Sequence, residues 1–371
     1  MKIGTDQYNT FDTMTMDCWN DRVYYEGKKF PAGQFAAEIL NFAGVIHDPL
    51  LERITVLTAL VDDLSTAEKS KRHDIAAQLK PLLHDTVSWL YTCPPFCYCE
   101  EQRAYEALEH ALSEERLDRD YEEEEAHLPY LALSFCEPIL RILVAIYNFC
   151  LLIRAFEKKY LRRAKRRNAD AFAKAAHECF DEDDSFLILL EQMPFGGVEE
   201  FFSYPRVITG FKYFQDENDE EKWKTAQRVI CRRTIDFYVF DLVNGLHHGH
   251  APSQCQGCGR YFLTTNGHIP KYCDGVAPQD SRYTCRQYGA MMHQKEQNKQ
   301  HPVYRLFNTR TDTIRKHHWR GKISDELRRE ALYLAGSYRD KALMDNDYAA
   351  DGYARDMELE HIYAEAEKRL K

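Results

Sequence analysis

The chain has 371 residues, of which 44% are hydrophobic and 13% aromatic, and its 49 basic and 59 acidic residues give a net charge of −10. This composition excludes a disordered chain, because the apolar side chains are numerous enough to form a large core. It also excludes a uniformly basic nucleic-acid coat, although a local basic surface is compatible with it. The length indicates two or three folding units.

Apolar residues recur at helical spacing through most of the first 250 residues, which predicts a large helical domain. One such stripe consists of Phe35, Ile39, Phe42 and Ile46. The pattern predicts a single long helix over residues 138–177 and another over residues 221–246. Residues 198–214 are aromatic and β-branched, so we expect a short β-strand or irregular segment there.

The longest uncharged apolar run, Ile142–Ile153, is shorter than the about 20 residues that span a bilayer. No apolar segment of the kind found in secretory signals follows Lys2. We therefore expect a cytoplasmic protein without a membrane partner, whose cysteines are mostly reduced.

Charge and turn residues change sharply after residue 250. Residues 251–330 contain 14 basic and 7 acidic side chains, a net charge of +7, which leaves −17 for the rest of the chain. Helical periodicity returns after residue 300, where Ser324 is a suitable N-cap. The sequence thus predicts a helical domain over 1–250, a small finger over 251–300 and a C-terminal helical segment over 301–371.

Four of the twelve cysteines lie in the finger with the spacing C-x2-C-x14-C-x11-C. They are Cys255, Cys258, Cys273 and Cys285. Two residues between the first pair let the backbone turn so that both thiolates can face one metal ion. Four thiolates complete a tetrahedron, so we expect a structural Zn²⁺ rather than a catalytic one. The long last spacing leaves His268 or His293 as alternatives to Cys285.

The residues between these cysteines predict a treble-clef-like finger, made of a short β-hairpin and a helix. A strand over residues 261–264 would return through a turn at Asn266-Gly267 into a second strand at Lys271-Tyr272. A helix would then begin at Cys285. The predicted fold is therefore mainly α, with a large helical N-terminal domain, this finger and C-terminal helices.

The segments Cys-x2-Cys-Gly-Arg-Tyr-Phe, Tyr-Cys-Asp and Thr-Cys-Arg-x-x-Gly-Ala resemble an uncharacterised bacterial family with a domain of unknown function. They are more distantly similar to CGNR-type zinc fingers of bacterial transcription regulators. The resemblance covers roughly residues 225–345 and implies zinc binding and, more weakly, nucleic-acid binding. The Cys-Gly-Asn-Arg tetrapeptide itself is absent, and Cys285-Arg-Gln-Tyr stands in its place.

Other clusters of chemically active residues have simpler interpretations. Cys93, Cys97 and Cys99 offer three thiolates without an evident fourth, so a proline turn with partly buried thiols is the better interpretation. His247, His248 and His250 are better explained as the end of a helix. The basic run 158–167 favours a solvated or salt-bridged face.

The chain lacks the P-loop, dinucleotide-binding, nucleophile-elbow and HExxH motifs, so we expect a non-enzymatic protein without catalytic residues. The leading hypothesis is a regulator that binds DNA or RNA through its basic finger region. The residues expected to contact nucleic acid are Arg260, Lys271, Arg286, Arg310, Arg315, Lys316 and Arg320. The alternative is a structural or protein-interaction module, in which the basic residues near the finger neutralise the metal–thiolate centre and a protein is the partner.

Overall fold

A computed structural model of the chain describes residues 13–42, 49–118, 130–191, 206–216, 219–265 and 270–370. The chain is mainly helical with a small sheet region, which confirms the predicted fold class. Contacts between residues divide it into two compact units, Met1–Cys273 and Asp274–Lys371. The predicted division at residues 250 and 300 concerns independent folding of the segments, and it stays a prediction.

In the part of the first unit that the structure describes, helices and strands follow the order below. The helices are α1 (Gln34–Ile39), α2 (Pro49–Thr66), α3 (Lys69–Leu90), α4 (Gln102–Ala111), α5 (Glu114–Leu117), α6 (Tyr130–Lys159), α7 (Ala169–Phe180), α8 (Asp184–Glu191) and α9 (Thr234–His247). The strands are β1 (Met14–Trp19), β2 (Arg22–Tyr25), β3 (Lys28–Pro31), β4 (Val207–Asp216), β5 (Asp219–Cys231), β6 (Ala251–Gln254) and β7 (Tyr261–Thr264).

Helix α6 is the central helix of the first unit. Ala132–Arg163 is the one stretch, among the residues described, that is long and apolar enough to cross a membrane. Of its most apolar window, 56% is buried inside the protein, and Phe149, Leu152 and Phe156 are fully covered. A single such helix is weak support for a membrane span, because a core helix has the same composition. These contacts agree with the core helix that the sequence predicts.

The predicted helix over residues 138–177 is wrong as one element. Helix α6 ends at Lys159, a 3₁₀ turn follows over Leu161–Arg163, and α7 begins at Ala169. Asn168 caps α7 by accepting a hydrogen bond from the Ala171 N–H at 3.1 Å. The intervening basic residues form ion pairs within the protein, such as Arg162 with the buried Glu157 at 2.8 Å, as the salt-bridged interpretation predicts.

The five-stranded sheet has the order β3-β2-β1-β5-β4, with every neighbouring pair antiparallel. Its presence corrects the predicted helix over residues 221–246, which is strand β5 followed by helix α9. Strand β5 pairs with β1, about 210 residues earlier, and local periodicity carries no record of a partner so distant. The segment near 198–214 forms β4 from Val207 onward, and its earlier residues lie outside those described.

An ion-pair network lies across the three central strands. The Asp17 carboxylate on β1 accepts hydrogen bonds from the Arg228 guanidinium at 2.8 Å and from the Lys212 ammonium at 3.0 Å. Burial alone would raise the pKa of Asp17, but these two cations lower it below its usual range. The network therefore fastens the hairpin β4–β5 to the N-terminal strand.

Helices α1 and α9 pack closely, and this contact positions the region that precedes the finger. Asp241 on α9 accepts hydrogen bonds from the backbone N–H groups of Gly33 and Ala36, both at 2.9 Å. A Cβ atom at Gly245 would lie 2.8 Å from the Gly33 Cα, so the two backbones approach where no side chain fits. Asp241 thus satisfies the free N–H groups at the start of α1.

The described part of the second unit contains two short strands and five helices. They are β8 (Val276–Ala277), β9 (Asp280–Thr284), α10 (Cys285–Gln300), α11 (Pro302–Trp319), α12 (Asp325–Met344), α13 (Tyr353–Asp356) and α14 (Leu359–Leu370). Its core includes Ile314, Leu334 and Ile362. Ser324 caps α12 through a hydrogen bond from the Leu327 N–H at 3.1 Å, which confirms the predicted N-cap.

Candidate metal centre

The first two cysteines lie in the turn between β6 and β7. These strands pair antiparallel with Gln254 opposite Tyr261, so residues 255–260 form the connection. Gly259 has a φ of +74°, and its N–H donates to the Cys255 carbonyl at 2.9 Å. A residue with a Cβ is strained at that angle, which explains the glycine after the second cysteine.

The predicted hairpin has the right first strand and the wrong second strand. Residues 261–264 form β7 as predicted, but β7 pairs with β6, which precedes the cysteines. Lys271 and Tyr272 are not in a strand, and the predicted turn at Asn266-Gly267 lies outside the described residues. The sequence interpretation missed β6, because Ala-Pro-Ser-Gln has little β-propensity and contains a proline.

The third cysteine approaches the turn through backbone hydrogen bonds. The Gln256 N–H donates to the Lys271 carbonyl at 2.8 Å, which aligns the two segments. The Cys273 N–H then donates to the Cys255 Sγ at 3.3 Å. The Sγ atoms of Cys258 and Cys273 are 3.6 Å apart.

The fourth cysteine is the first residue of α10, as the sequence predicts. Its N–H donates to the Gly275 carbonyl at 2.7 Å. Strands β8 and β9 form the antiparallel hairpin between Cys273 and Cys285. This hairpin accounts for the long last spacing, which the sequence interpretation left unexplained.

The four cysteine sulfurs form a compact cluster. All of them lie within 4.8 Å of one another, and Cys255, Cys273 and Cys285 are buried while Cys258 is half-buried. Metal–sulfur bonds of about 2.3 Å in a tetrahedron require sulfurs about 3.8 Å apart. The cluster therefore has dimensions that suit a metal ion held by four thiolates.

The environment of Cys255 favours a thiolate. Burial raises the pKa of Cys255, but backbone N–H groups of Cys273, Cys258 and Gly257 lower it further, to about 7. Two of these bonds are the 3.3 Å contact from Cys273 and a 3.4 Å contact from Gly257. N–H groups directed at a sulfur are the usual second shell of a cysteine metal site.

The alternative ligands do not enter the described cluster. His293 is exposed on α10 and is not among the clustered residues, and His268 lies outside the described residues. Cys99 contacts the Tyr25 hydroxyl at 3.2 Å, and the thiols of the 93–99 segment form no metal-binding group with other described residues. His250 is buried near the end of α9, with Nδ1 2.9 Å from the Ala32 carbonyl oxygen.

The residues predicted to contact nucleic acid lie in several places along the chain. Arg260 and Lys271 are exposed beside the first three cysteines. Arg286 pairs with Asp274 at 3.0 Å and Arg315 with Asp312 at 3.2 Å. Arg310 is half-buried on α11, whereas Lys316 and Arg320 at the end of that helix are exposed. The structure thus brings Arg315, Lys316 and Arg320 together, and their role stays a prediction.

Comparison with known proteins identifies a family but no activity. Residues 203–369 match the model of DUF6076, a family of unknown function. This range contains all four clustered cysteines and is wider than the predicted resemblance. No curated protein and no solved structure matches the chain. The comparisons show no similarity to CGNR-type zinc fingers.

Proposed function

We propose that the four-cysteine cluster is a structural Zn²⁺ site in a non-enzymatic protein. The observation that supports it best is the approach of all four sulfurs to within 4.8 Å. Zn²⁺ suits four thiolates in a closed tetrahedron, and such a site has no open position for a substrate. The ion would stabilise the finger, because its binding free energy is available only to the folded chain.

Metal analysis of the purified full chain tests this proposal. We expect about one Zn²⁺ per chain and a large loss of metal in Cys258→Ser, since three thiolates leave the tetrahedron open. Cys97→Ser is the matched control, because Cys97 is an exposed thiol outside the cluster. A metal-free protein, or a Cys258→Ser variant that retains its zinc, would contradict the proposal.

We further propose that the zinc-stabilised region binds DNA or RNA. The observation in favour is the charge of residues 282–322, which contain ten basic and two acidic side chains. Cations on an exposed helix bind phosphates and release counterions, so affinity should fall steeply with salt. Charge reversal of Arg310, Arg315, Lys316 and Arg320 should abolish binding and leave the zinc content unchanged. Equal binding by this variant would contradict the proposal. The cytoplasmic location predicted from the sequence belongs to this proposal as well.

A second candidate function, protein interaction, has its own observation. Strand β4 is at the edge of the sheet, and Phe211, Tyr213 and Trp223 are exposed on one face of the β4–β5 hairpin. Phe211 is 74% exposed, and exposed aromatics on an unpaired edge are typical of interfaces. Sedimentation of the full chain tests self-association through this edge. A dimer that Phe211→Ser converts to a monomer would support it, and a monomeric parent would contradict it.

A further inference from the structure

Trp319, the last residue of α11, presents its indole ring to solvent. Its exposed fraction is 85%, although tryptophan side chains usually bury most of their apolar surface. Within the described part of the chain, the ring stacks on no other aromatic side chain and lies under no cation. Its position therefore contributes little to the packing of the second unit.

The end of α11 is held in a defined conformation. Gly321 has a φ of +69°, and its N–H donates to the His318 carbonyl at 2.9 Å. The Lys322 N–H donates to the His317 carbonyl, also at 2.9 Å. These two bonds form a Schellman C-cap, which reverses the chain at the glycine. The cap fixes Trp319 in the last turn and keeps Lys322 close to it in the chain reversal.

Cations surround the exposed ring. Arg315 and Lys316 lie one turn before Trp319 on the same helix face, and Arg320 follows it. Lys316, Arg320 and Lys322 form no ion pair with any residue that the structure describes. Basic side chains at a helix C-terminus also interact favourably with the helix dipole. That interaction explains the cations, but it gives no reason for an exposed indole among them.

We propose that Trp319 is a stacking platform for an unpaired base, so that α11 binds single-stranded rather than duplex nucleic acid. This inference rests on the proposed nucleic-acid binding and specifies its ligand. Every base has a π-face on which an indole can stack, but in a duplex those faces are covered by neighbouring base pairs. The surrounding cations would bind the flanking phosphates.

Binding measurements on the full zinc-loaded chain test the inference. The probes are a twelve-nucleotide uridine oligomer, a deoxythymidine oligomer of the same length and a twelve-base-pair duplex, followed by fluorescence anisotropy at low salt. We expect tighter binding of the single strands, about tenfold weaker single-strand binding by Trp319→Ala, and partial recovery in Trp319→Phe. Duplex binding should be unchanged by either substitution. The two oligomers distinguish RNA from DNA as the preferred strand.

Two controls separate stacking from charge and from folding. Trp223→Ala removes another exposed indole, 65% exposed on β5, and should bind as the parent does. The double variant Lys316→Gln/Arg320→Gln should lower the salt dependence of single-strand binding by about 1.4 in logarithmic slope, because each phosphate contact contributes about 0.7. Circular dichroism and zinc content should be unchanged in every variant.

The possible failures differ in what they overturn. If the parent binds none of the probes at low salt, both the nucleic-acid proposal and this inference are wrong. If the parent binds but Trp319→Ala binds single strands equally well, or the duplex is preferred, only the stacking inference is wrong.

Discussion

The side chain of Asn41 forms hydrogen bonds with both backbone polar groups of Tyr261. The Tyr261 N–H donates to the Asn41 Oδ1 at 2.7 Å, and the Asn41 Nδ2 donates to the Tyr261 carbonyl at 3.0 Å. Asn41 follows α1, whereas Tyr261 begins β7 directly after the cysteine turn. One amide thus connects the helical core of the first unit to the first pair of metal ligands.

We predict that Asn41→Ala weakens zinc retention while the helices stay folded. The substitution leaves two half-buried backbone groups of Tyr261 without their partner, at a cost of about 1–3 kcal/mol to the folded finger. The measurement is the rate of zinc transfer to a chromogenic chelator, with circular dichroism as the fold control. Asn346→Ala removes an exposed asparagine and should behave as the parent. Equal transfer rates for Asn41→Ala and the parent would show that the amide does not support the site.

The contact between α1 and α9 gives a prediction that compares two glycines. Gly245→Ala should lower the free energy of unfolding by about 1–3 kcal/mol, because its Cβ would lie 2.8 Å from Gly33 Cα and 3.0 Å from the Ala32 carbonyl oxygen. Gly336→Ala, in the interior of α12, meets no atom within 4 Å. It should raise stability by about 0.5–1 kcal/mol through helix propensity. Denaturant unfolding measures both, and the same sign for the two variants would contradict the packing described here.

The sequence predicts what depends on neighbouring residues and fails where distant ones decide. The Cys255 knuckle, the helix beginning at Cys285 and the Ser324 cap depend on a few consecutive side chains, and all three are found. Strand β5 was interpreted as helix because its pairing partner, β1, is about 210 residues away. The partner of β7 was misplaced for a related reason, since the short β6 has a composition that does not favour strands. The role of Asn41 has no local signature either, since its partner Tyr261 lies 220 positions along the chain.

Asp241 predicts a specific pH dependence of stability. Burial raises the pKa of Asp241 to about 7, although the N–H groups of Ala36 and Gly33 partly oppose this rise. A carboxyl group whose pKa is higher in the folded chain stabilises the fold most at low pH. This contribution should be lost as the pH rises from about 4 through about 7, with a slope of at most about 1.4 kcal/mol per pH unit.

Asp241→Asn provides the comparison that isolates this group. Asparagine does not titrate, so the difference in unfolding free energy between the parent and the variant should shrink as the pH rises across that window. The variant should itself be less stable at pH 4–5, because its amide nitrogen would face one of the two N–H donors. Parallel pH profiles for the parent and Asp241→Asn would mean that this carboxyl keeps an ordinary pKa.

Removal of the metal should unfold the finger and leave the helical core intact. The fully buried side chains of α6, among them Phe149 and Phe156, pack in a core cluster that contains none of the four clustered cysteines. Without the ion, the thiolates of Cys255, Cys258, Cys273 and Cys285 repel one another or take up protons, and the finger loses its binding free energy. A strong chelator should therefore reduce far-ultraviolet circular dichroism only slightly. Hydrogen exchange should become fast over residues 255–290 while amides of α6 stay protected, and re-addition of Zn²⁺ should restore protection. Loss of protection in α6 together with the finger would show instead that the metal stabilises the whole first unit, and unchanged exchange at 255–290 would show that the finger folds without the ion.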